Sequence, residues 1–405
     1  MHVLVLDTIH GGKEISAAYK EAGHSVDVVD VYRGTTPDEL HEAEHRHYDL
    51  VVAPVHLDPD HPLLARRTVP IITHHEAVRR LLGEHLPHPL IEITGARGKT
   101  TTAHALAHIL PGNGVLHTSM GTYTYPTKHQ LFKKSITPAS VIAAARYASQ
   151  IPGWLIAEIS LGVMGAGDIA IITSPDNYTF AHGKKRAIRE KIASARHAKR
   201  VLVAEGVFCD FENVVQVSDV ARCDGMKCTV EMEGMKYVLT NPLFLLPPYR
   251  TPLMLAAAAA MILHIDPTPL DHFTALPGRM SLSYDNGLII IDNANSGTNV
   301  TTTLCAARFV RHCARMSDLT LVIGQVEGDG AVCEGFSLDQ ILSAIDKVRP
   351  SRMVWVGRYP DPGTGPYESL KGKVSAVCTS LEEGRDTAVR IAQKGSIVLS
   401  VKTWR

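Results

Sequence analysis

One segment constrains the fold of this chain more than any other: residues 91–110, which read IEITGARGKTTTAHALAHIL. An apolar run typical of a buried strand is followed by a glycine-rich turn and then by residues with helical spacing. A complete Walker A motif, G-x-x-x-x-G-K-[ST], would require glycine at position 93, where the chain has Ile93. The turn instead has the shorter spacing G-x-x-G-K-T, from Gly95 to Thr100. The segment therefore predicts an α/β protein with a short phosphate-binding loop between strand and helix.

The residue types in this turn suit a nucleotide phosphate site. Gly95 and Gly98 permit a backbone nest whose N–H groups converge on phosphate oxygens at the positive N-terminus of the following helix. Lys99 can neutralise charge that develops on a transferred phosphoryl group, and the Thr100 hydroxyl can bind a magnesium ion. A glycine-rich turn with an incidental lysine is the alternative. The strand before the turn and the helix after it favour the phosphate site.

The length of 405 residues favours two or three domains over a single core. Hydrophobic residues make up 45% of the chain, and the formal net charge is zero, so we expect neither nucleic acid nor a membrane surface as a partner. The start lacks a basic signal-peptide region, and the longest apolar run is too short to span a membrane, which favours a cytoplasmic protein. Seven scattered cysteines, an odd number, argue against a disulfide framework and a structural zinc.

The first 86 residues alternate strand patterns with helical patterns, which predicts a small doubly wound sheet. Ligands of such sheets bind beyond the carboxyl ends of the strands. There the first strand pattern, HVLVLD, is followed by His10, Gly11 and Gly12, and two adjacent glycines let a ligand approach the backbone closely. A tight turn without a ligand stays open as the alternative. His41 and His45 have helical spacing, but their surroundings, DELHEAEHRHYD, are polar all round, which is typical of a solvated face.

Three α/β domains are predicted. The proline-rich stretch GEHLPHPL ends the first domain, residues 1–86. The second domain, residues 87–275, contains the phosphate-binding loop and three further strand patterns, and it closes with the helical stretch TPLMLAAAAAMILHI. The third domain, residues 276–405, alternates four strand patterns (LIIIDNA, LTLVIG, RMVWVG and SIVLSV) with helical segments.

The loop TGARGKTT, residues 94–101, resembles the T-G-x-x-G-K-[ST]-[ST] loop of the Mur ligase family. By order and motif the resemblance extends over about residues 87–405. It implies a three-domain Mur ligase-like architecture, with a central P-loop ATPase domain and a C-terminal Rossmann-like domain behind the small N-terminal sheet. It also implies an ATP-dependent, ADP-forming ligase that activates a carboxylate as an acyl phosphate, with ATP and Mg²⁺ as cofactors. The implied ATP-binding residues of the loop are Gly95, Ala96, Arg97, Gly98, Lys99, Thr100 and Thr101, and Lys99 is also catalytic.

The same resemblance places the first magnesium ion and the acceptor. HTSMGT (117–122) and SITPAS (135–140) resemble the family's loops near these two sites, so Ser119 is implied as a metal ligand and Thr137 as a substrate contact. LIAEIS (155–160) resembles the strand whose glutamate binds magnesium, which gives that role, together with a catalytic one, to Glu158. A carboxylate at a strand end suits magnesium because it is a hard oxygen ligand.

The segment TSPDNYTFAHG (173–183) resembles the family's T-N-x-x-x-D-H segment imperfectly. The family's metal-binding histidine falls on Tyr178, a poor substitute, so the nearby His182 is favoured as the metal ligand. REKIASA (189–195) places Lys191 where many family members carry a carbamylated lysine at a second metal ion. An ordinary solvent-exposed helix lysine is the alternative for this position.

The third domain begins with PGRM (277–280), which resembles the family's G-R-M and implies Arg279 as a catalytic contact to the ATP phosphates. IIIDNANSG (289–297) resembles D-x-Y-A-H-N-P, one residue short, and places Asp292 where a carboxylate holds the ribose of ATP. The family's histidine is replaced by Asn295. PPYRTP (247–252) stands where relatives carry an asparagine pair for adenine, so the adenine contacts are left open.

The departures from the family cluster where the acceptor and adenine bind, while the phosphate motifs are kept, which indicates an unusual acceptor. DTIHGG, ITGARGKTTTA, IDNANSGTN and VLSVKTWR together resemble the family members that complete a nickel tetrapyrrole in methane-forming archaea. The resemblance implies ATP-driven activation of a propionate side chain and closure of a six-membered carbocycle. His10, Gly11 and Gly12 would then bind the tetrapyrrole, and nickel would be present only as part of the substrate. The base that generates the carbon nucleophile stays open among His10, His117 and His182.

Two other functions are compatible with the motifs. One is an amide-forming Mur-like ligase that joins an amino acid or glutamate to a carboxylate acceptor. The other is a P-loop protein that only binds nucleotide, against which Glu158 and Arg279 argue, since both are expected at the γ-phosphate. The sequence is compatible with a monomer and with a homodimer.

Overall fold

The computed structural model describes residues 1–32, 36–83, 86–312, 317–326, 335–392 and 394–403. The chain divides into two compact units. The first comprises residues 1–244 and 249–273, and the second comprises residues 245–248 and 274–405. Since the first unit contains the sheets of both the first and the second predicted domain, the boundary at residue 86 stays a prediction.

A four-stranded parallel sheet opens the first unit, with strand order β2-β1-β3-β4. Its strands are β1 (His2–Leu6), β2 (Ser25–Val29), β3 (Leu50–Ala53) and β4 (Ile71–Thr73), and the helices are α1 (Gly12–Glu21), α2 (Pro37–His45), α3 (Pro62–Ala65) and α4 (His74–Leu82). Alternate side chains of β1 enter different cores: Val3 and Val5 lie in one cluster, and Leu4 and Leu6 in another. Both faces are therefore covered, which confirms the predicted doubly wound sheet.

An eight-stranded sheet follows, with order β14-β13-β10-β5-β9-β6-β7-β8. Its strands are β5 (Leu90–Thr94), β6 (Gly114–Thr118), β7 (Gly121–Tyr125), β8 (Gln130–Phe132), β9 (Trp154–Glu158), β10 (Ile169–Ile172), β13 (Arg200–Val203) and β14 (Val214–Gln216). The helices are α5 (Lys99–Ile109), α6 (Ser140–Ala148), α7 (Ala187–Ala195) and α8 (Val217–Val220). From β14 to β6 all neighbouring strands are parallel. At the β6 edge the sheet is extended by β7, which is antiparallel to β6, and by β8, which is antiparallel to β7.

Smaller elements complete the first unit. A short hairpin is formed by β11 (Thr179–Phe180) and β12 (Lys185–Arg186), and an antiparallel sheet by β15 (Ala221–Asp224), β16 (Lys227–Met232) and β17 (Met235–Thr240). The remaining helices are α9 (Pro247–Ile262) and two 3₁₀ turns, Pro242–Leu245 and Thr268–His272. Among the described residues, no helix is both long and apolar enough to cross a membrane.

One hydrophobic core joins the four-stranded and the eight-stranded sheet of the first unit. Val5 of β1 and Ile15 of α1 share it with Leu90 of β5, Val115 of β6 and Val141 of α6. All five side chains are fully buried. Because packed interiors deform little, this common core fixes the loops at the end of β1 relative to those at the ends of β5 and β9.

The second unit is a six-stranded sheet with order β18-β19-β23-β20-β21-β22, in which only the β18–β19 pair is antiparallel. Its strands are β18 (Ser281–Asp285), β19 (Leu288–Asp292), β20 (Leu319–Gln325), β21 (Arg352–Val356), β22 (Ala376–Cys378) and β23 (Ser396–Lys402). The helices are α10 (Val300–His312), α11 (Leu338–Val348), α12 (Gly365–Leu370) and α13 (Leu381–Ile391). The four strands predicted for this region are confirmed, and the end of the VLSVKTWR motif, residues 404–405, lies outside the described residues.

Candidate active site

The predicted phosphate-binding loop joins β5 to α5. Gly98 caps the N-terminus of α5 with φ 85°, and Gly95 has φ 149°, a backbone region that L side chains rarely adopt. A Cβ atom on Gly95 would lie 2.1 Å from the hydroxyl of Thr173. The loop thus needs its glycines for both conformation and space, and it leads into the positive end of α5, the kind of position where helix N-termini can bind anions.

Two residues that the sequence analysis did not select brace this loop. The Thr173 hydroxyl donates a hydrogen bond of 2.6 Å to the carbonyl of Arg97, and Ser174 Oγ accepts hydrogen bonds from the backbone N–H groups of Ala96 (3.2 Å) and Arg97 (3.4 Å). Both residues directly follow β10, which pairs with β5 in parallel. The signal that could have found them is their position at a strand end, since the carboxyl ends of neighbouring parallel strands meet at one edge.

Arg97 forms an ion pair with Asp176, with 2.9 Å between Nε and the carboxylate. The sequence analysis assigned Arg97 to the ATP site. Asp176 offsets part of the charge of Arg97. Because 60% of the Arg97 side chain is exposed, the ion pair contributes little to the stability of the fold.

Four predicted residues converge beside the loop. The Thr100 hydroxyl donates a hydrogen bond of 2.8 Å to Oε2 of Glu158, and the backbone N–H of Ser119 donates one of 3.0 Å to the same oxygen. The hydroxyls of Thr100 and Ser119 lie 3.2 Å apart, and Nζ of Lys99 lies 3.8 Å from the other oxygen of Glu158. Strand pairing explains the convergence: Glu158 ends β9, which lies between β5, ahead of the loop, and β6, ahead of Ser119.

This cluster suits a magnesium ion. The Glu158 side chain is 2% exposed, and Thr100 is also buried. The donor set consists of one carboxylate and two hydroxyls, which are the hard oxygen ligands that magnesium prefers, beside a helix N-terminus suited to phosphate. Lys99 also donates a hydrogen bond of 3.0 Å to the carbonyl of Gly95, which holds its ammonium group at the loop. Thr101 is buried within α5.

The predicted acceptor residues also come together. A Cβ atom on Gly11 would lie 2.4 Å from Cβ of Ala139 and 3.2 Å from Oγ1 of Thr137, so the loop after β1 touches the predicted acceptor loop. Position 12 has room only for glycine, because a Cβ there would lie 1.8 Å from the carbonyl oxygen of Asp7 in the same loop. The acceptor loop is tied to the end of β9 by a backbone hydrogen bond of 2.8 Å from the N–H of Ser160 to the carbonyl of residue 136.

His182 lies on the exposed turn between β11 and β12, with φ 53°. Its Nδ1 is 2.7 Å from a carboxylate oxygen of Asp58, to which Lys184 also donates a hydrogen bond of 2.7 Å. The hydrogen bonds described for His182 thus join it to the loop after β3. Its role as a metal ligand stays a prediction.

Lys191 is buried, with 1% of its surface exposed, and its Nζ lies 5.1 Å from the centre of the Tyr178 ring. The alternative of a solvent-exposed helix lysine is therefore wrong. Ala187, Lys191 and Ala195 recur every four residues along α7, and all three are buried on one helix face. This spacing was visible in the sequence and could have indicated the burial. Carbamylation of Lys191 stays a prediction.

In the second unit, Arg279 and Asp292 are both partly exposed. Asp292 ends β19, and its carboxylate accepts a hydrogen bond of 3.0 Å from the N–H of Ala294. Asn295 donates a side-chain hydrogen bond of 2.6 Å to the carbonyl of Gly278. Asn295, which replaces the family's histidine, therefore links the DNANSG loop to the PGRM turn that carries Arg279.

A group of side chains of types that can ligate a metal also lies on α2. Ligand atoms of His41, Glu44 and His45 all lie within 4.8 Å of one another. The Nδ1 of His45 is engaged with the carbonyl of His41 at 2.8 Å, Glu44 pairs with Arg66, and both histidines are exposed. These partners are in keeping with the solvated helix face expected from the sequence.

The sequence of this chain is similar to those of known proteins. Residues 282–403 match the family model described as "Coenzyme F430 synthetase CfbE, C-terminal domain". A coenzyme F(430) synthetase from Methanosarcina acetivorans is 29% identical to this chain, over 99% of this chain and 98% of that protein. The similarity therefore includes the N-terminal sheet, which lay outside the general Mur ligase resemblance of residues 87–405 and of which only the DTIHGG motif entered the more specific resemblance.

Solved structures show the fold. A bifunctional folylpolyglutamate synthase/dihydrofolate synthase from Yersinia pestis, complexed with AMPPNP and Mn ion, has a TM-score of 0.58 at 15% identity, over 91% of this chain and 96% of that one. A MurF ligase from Thermotoga maritima in complex with ADP has a TM-score of 0.51 at 14% identity, over 90% and 87% of the two chains. The fold is thus mixed α/β with parallel sheets, as in the Mur ligases, and the predicted fold class is confirmed.

Proposed function

We propose that this chain, an ATP-dependent ligase with the Mur-ligase fold, activates a propionate carboxylate of the nickel seco-F430 precursor as an acyl phosphate and cyclises it to coenzyme F430. The observation that supports the activation step is the convergence of Lys99, Thr100, Ser119 and Glu158 at the N-terminus of α5. The choice of substrate rests on the similarity, over nearly the whole chain, to a protein named coenzyme F(430) synthetase. Use of a nucleotide and a divalent metal agrees with the structural neighbours that contain ADP, or AMPPNP and Mn ion.

In the first step, the propionate oxygen attacks the γ-phosphorus of ATP and ADP leaves. The N–H groups at the start of α5 hold the phosphates, and Lys99 neutralises charge on the transferred group. Glu158, Thr100 and Ser119 would hold the magnesium ion, which supplies further charge neutralisation when bound. Arg279 as a phosphate contact and Asp292 as a ribose contact belong to the same proposal. Such a step depends on positioning and charge rather than on a covalent enzyme intermediate.

In the second step, a carbon of the same macrocycle attacks the activated carboxyl carbon. A C–C bond forms, the C–O bond of the acyl phosphate breaks, and inorganic phosphate leaves. Since both reacting groups belong to one bound molecule, the reaction gains from proximity and needs no second substrate. His10, Gly11, Gly12 and Thr137 bind the precursor in this proposal, which agrees with the contact between their two loops.

The surface beside His10 suits a flat, partly apolar ligand. Ile9 and Tyr32 are each 38% exposed, although both are large and apolar. Exposed apolar side chains that adjoin polar groups are typical of ligand-binding surfaces. The Tyr32 ring is stacked on His56 at 5.4 Å with an interplanar angle of 18°, so a rigid aromatic platform stands next to the glycine loop.

The test is incubation of the protein with ATP, magnesium and the nickel seco precursor, without any amine. We expect one ADP and one phosphate per product and a shift of the visible spectrum, because the new ring carbonyl joins the macrocycle. Lys99→Ala should reduce both signals by about 10²- to 10³-fold, whereas Lys227→Ala, which removes an exposed lysine of β16, should leave them intact. A spectrum that stays fixed while an added amino acid triggers ADP release would replace this proposal with the amide-forming ligase.

A further inference from the structure

An aspartate–histidine pair occupies the loop between β1 and α1. Asp7 is fully buried and has φ 111°, an unusual conformation for a residue other than glycine. Its carboxylate accepts hydrogen bonds from the backbone N–H groups of Ile9 (2.6 Å) and His10 (2.9 Å). One of its oxygens lies 3.4 Å from Nδ1 of the His10 ring. A strained backbone that aims a buried carboxylate at a histidine is the kind of feature that marks functional sites.

The carboxylate in this pair is charged at neutral pH. Burial by itself would raise the pKa of Asp7, but the hydrogen bonds from His10 and from the N–H of Ile9 outweigh it, and the pKa lies below its ordinary value. A charged carboxylate beside Nδ1 favours the tautomer that carries its proton on Nδ1. That tautomer leaves the lone pair on Nε2, where it can accept a proton.

The His10 ring is held on its other sides by aromatic neighbours. The Tyr32 ring lies 5.2 Å away at 80°, and the His56 ring lies 4.6 Å away at 81°. The side chain is 36% exposed, whereas Nδ1 itself is buried, so the exposed part of the ring does not include the edge that faces Asp7. His56 is a poorer base, because burial lowers its pKa to about 4.

The position of the pair is fixed relative to the phosphate chemistry. Gly11, which follows His10, packs against Thr137 and Ala139 of the acceptor loop, and that loop is hydrogen-bonded to Ser160, two residues beyond Glu158. The loop that carries His10 is therefore in contact with the acceptor loop, next to which the activated carboxylate would lie.

We propose that His10 is the general base that generates the carbon nucleophile, and that Asp7 is the residue that positions it. This inference rests on the proposed function. Nε2 of His10 takes the proton from the carbon that attacks, and the electron pair of that C–H bond forms the new C–C bond to the acyl carbon. Phosphate leaves with the electrons of the C–O bond, and His10 then releases its proton to solvent. No oxidant or further co-reactant is required.

The test separates the two chemical steps with hydroxylamine, which traps an acyl phosphate as a hydroxamate. At a saturating concentration of the precursor, which offsets the loss of the His10 contact to it, we expect His10→Gln to form precursor hydroxamate and ADP at nearly the wild-type rate, since activation needs no carbon base. Ring closure in the absence of hydroxylamine should fall by about 10² to 10⁴-fold. The matched control is His2→Gln, because His2 also forms a histidine–aspartate pair, with Asp27 at 3.1 Å, but at the opposite end of β1. The control should retain both activities.

A second readout does not depend on ATP. In D₂O, wild-type protein should catalyse exchange of the acidic C–H of the bound precursor, and His10→Gln should not. Asp7→Asn keeps an oxygen that can accept backbone hydrogen bonds but loses the charge. It should lower the rate of ring closure and of exchange while leaving the KM for the precursor and the hydroxamate yield unchanged, a split that a merely structural role would not produce.

Each result decides the assignment. Ring closure by His10→Gln within a few-fold of wild type would overturn it. Loss of the hydroxamate in this variant even at saturating precursor, or a changed visible spectrum of the bound precursor without ATP, would limit His10 to binding the substrate or its nickel ion and would also overturn the assignment as a base. If wild-type protein formed neither hydroxamate nor product from the precursor, the proposed function itself would fail, and the base assignment with it.

Discussion

The most informative single change at the candidate active site is Glu158→Gln. Glutamine has nearly the same shape as glutamate but carries no charge. In the structure one carboxylate oxygen accepts hydrogen bonds from the Thr100 hydroxyl and the Ser119 N–H, and the other faces Lys99 at 3.8 Å. The amide oxygen can replace the first acceptor, but its NH₂ group must then point at the ammonium of Lys99. The substitution thus removes the negative charge that Glu158 offers to a metal ion and places a donor against a cation.

The magnitude follows from the interactions that are lost. A hydrogen bond or metal contact that involves a charged group contributes about 1.5 to 3 kcal/mol, which corresponds to a factor of about 10 to 150 in an equilibrium constant. We therefore expect the magnesium concentration for half-maximal ADP formation to rise by about 10- to 150-fold. The measurement is the initial rate of ADP formation as a function of magnesium at saturating ATP and acceptor.

A matched control is available on the neighbouring strand. Glu92 is fully buried in β5 and accepts backbone hydrogen bonds from Met164 (2.6 Å), Ala166 (2.9 Å) and Gly167 (2.7 Å). Glu92→Gln should alter stability without changing the magnesium dependence, because a half-saturation concentration does not depend on the fraction of active protein. An unchanged magnesium requirement in Glu158→Gln would show that the metal ligand lies elsewhere.

Three further outcomes are expected. Lys99→Ala should reduce ADP formation by about 10²- to 10³-fold in a coupled assay, and loss of less than 3-fold would contradict its phosphate role. Gly95→Ala should raise the KM for ATP by about 10- to 100-fold, since the new methyl collides with a hydroxyl 2.1 Å away, whereas Gly112→Ala, in open space, should not. Burial by itself would raise the pKa of Asp168, but the hydrogen bonds from Lys199 and His88 outweigh that effect, and the pKa lies below its ordinary value. The ionised form of Asp168 therefore stabilises the fold at neutral pH. Asp168→Asn should therefore cost about 1 to 3 kcal/mol in thermal unfolding at pH 7. This difference in the free energy of unfolding is fully present above the unfolded pKa near 3.9 and should be lost as the pH falls from there through the lower folded pKa of Asp168; a constant difference would refute the ion-pair account.

The parts of the site that lie in one continuous segment could be predicted from the sequence. The loop around Gly95 and Gly98 is encoded locally, because the positive φ angles, the preceding strand and the following helix all belong to about twenty residues. The strand ends that carry His10 and Glu158 were also visible, since short apolar runs between turn residues are typical of buried parallel strands.

The bracing of the loop could not be read from the sequence in the same way. Thr173 and Ser174 reach Arg97 across 76 and 77 residues of chain, and only the strand order β10-β5-β9 brings them together. The antiparallel strands β6 to β8 escaped prediction too, because HTSMGT looks like a loop, whereas the structure makes Ser119 part of the turn between two paired strands. Local propensity does not encode which strands become neighbours.

Strand β9 connects the two halves of the proposed reaction. Glu158 at its end belongs to the proposed magnesium site, and Ser160, two residues further, holds the predicted acceptor loop through the bond to residue 136. The His75 side chain of α4 also contacts the carbonyl of Ser160 at 2.9 Å, so the N-terminal sheet is anchored at the same point. The proposed activation site and the acceptor loop are thus both attached to the end of one strand, which helps to bring the reacting atoms within the required distance of about 3 to 3.5 Å. Substitutions along β9 should accordingly impair both steps together, whereas those at Asp7 and His10 should impair only the second.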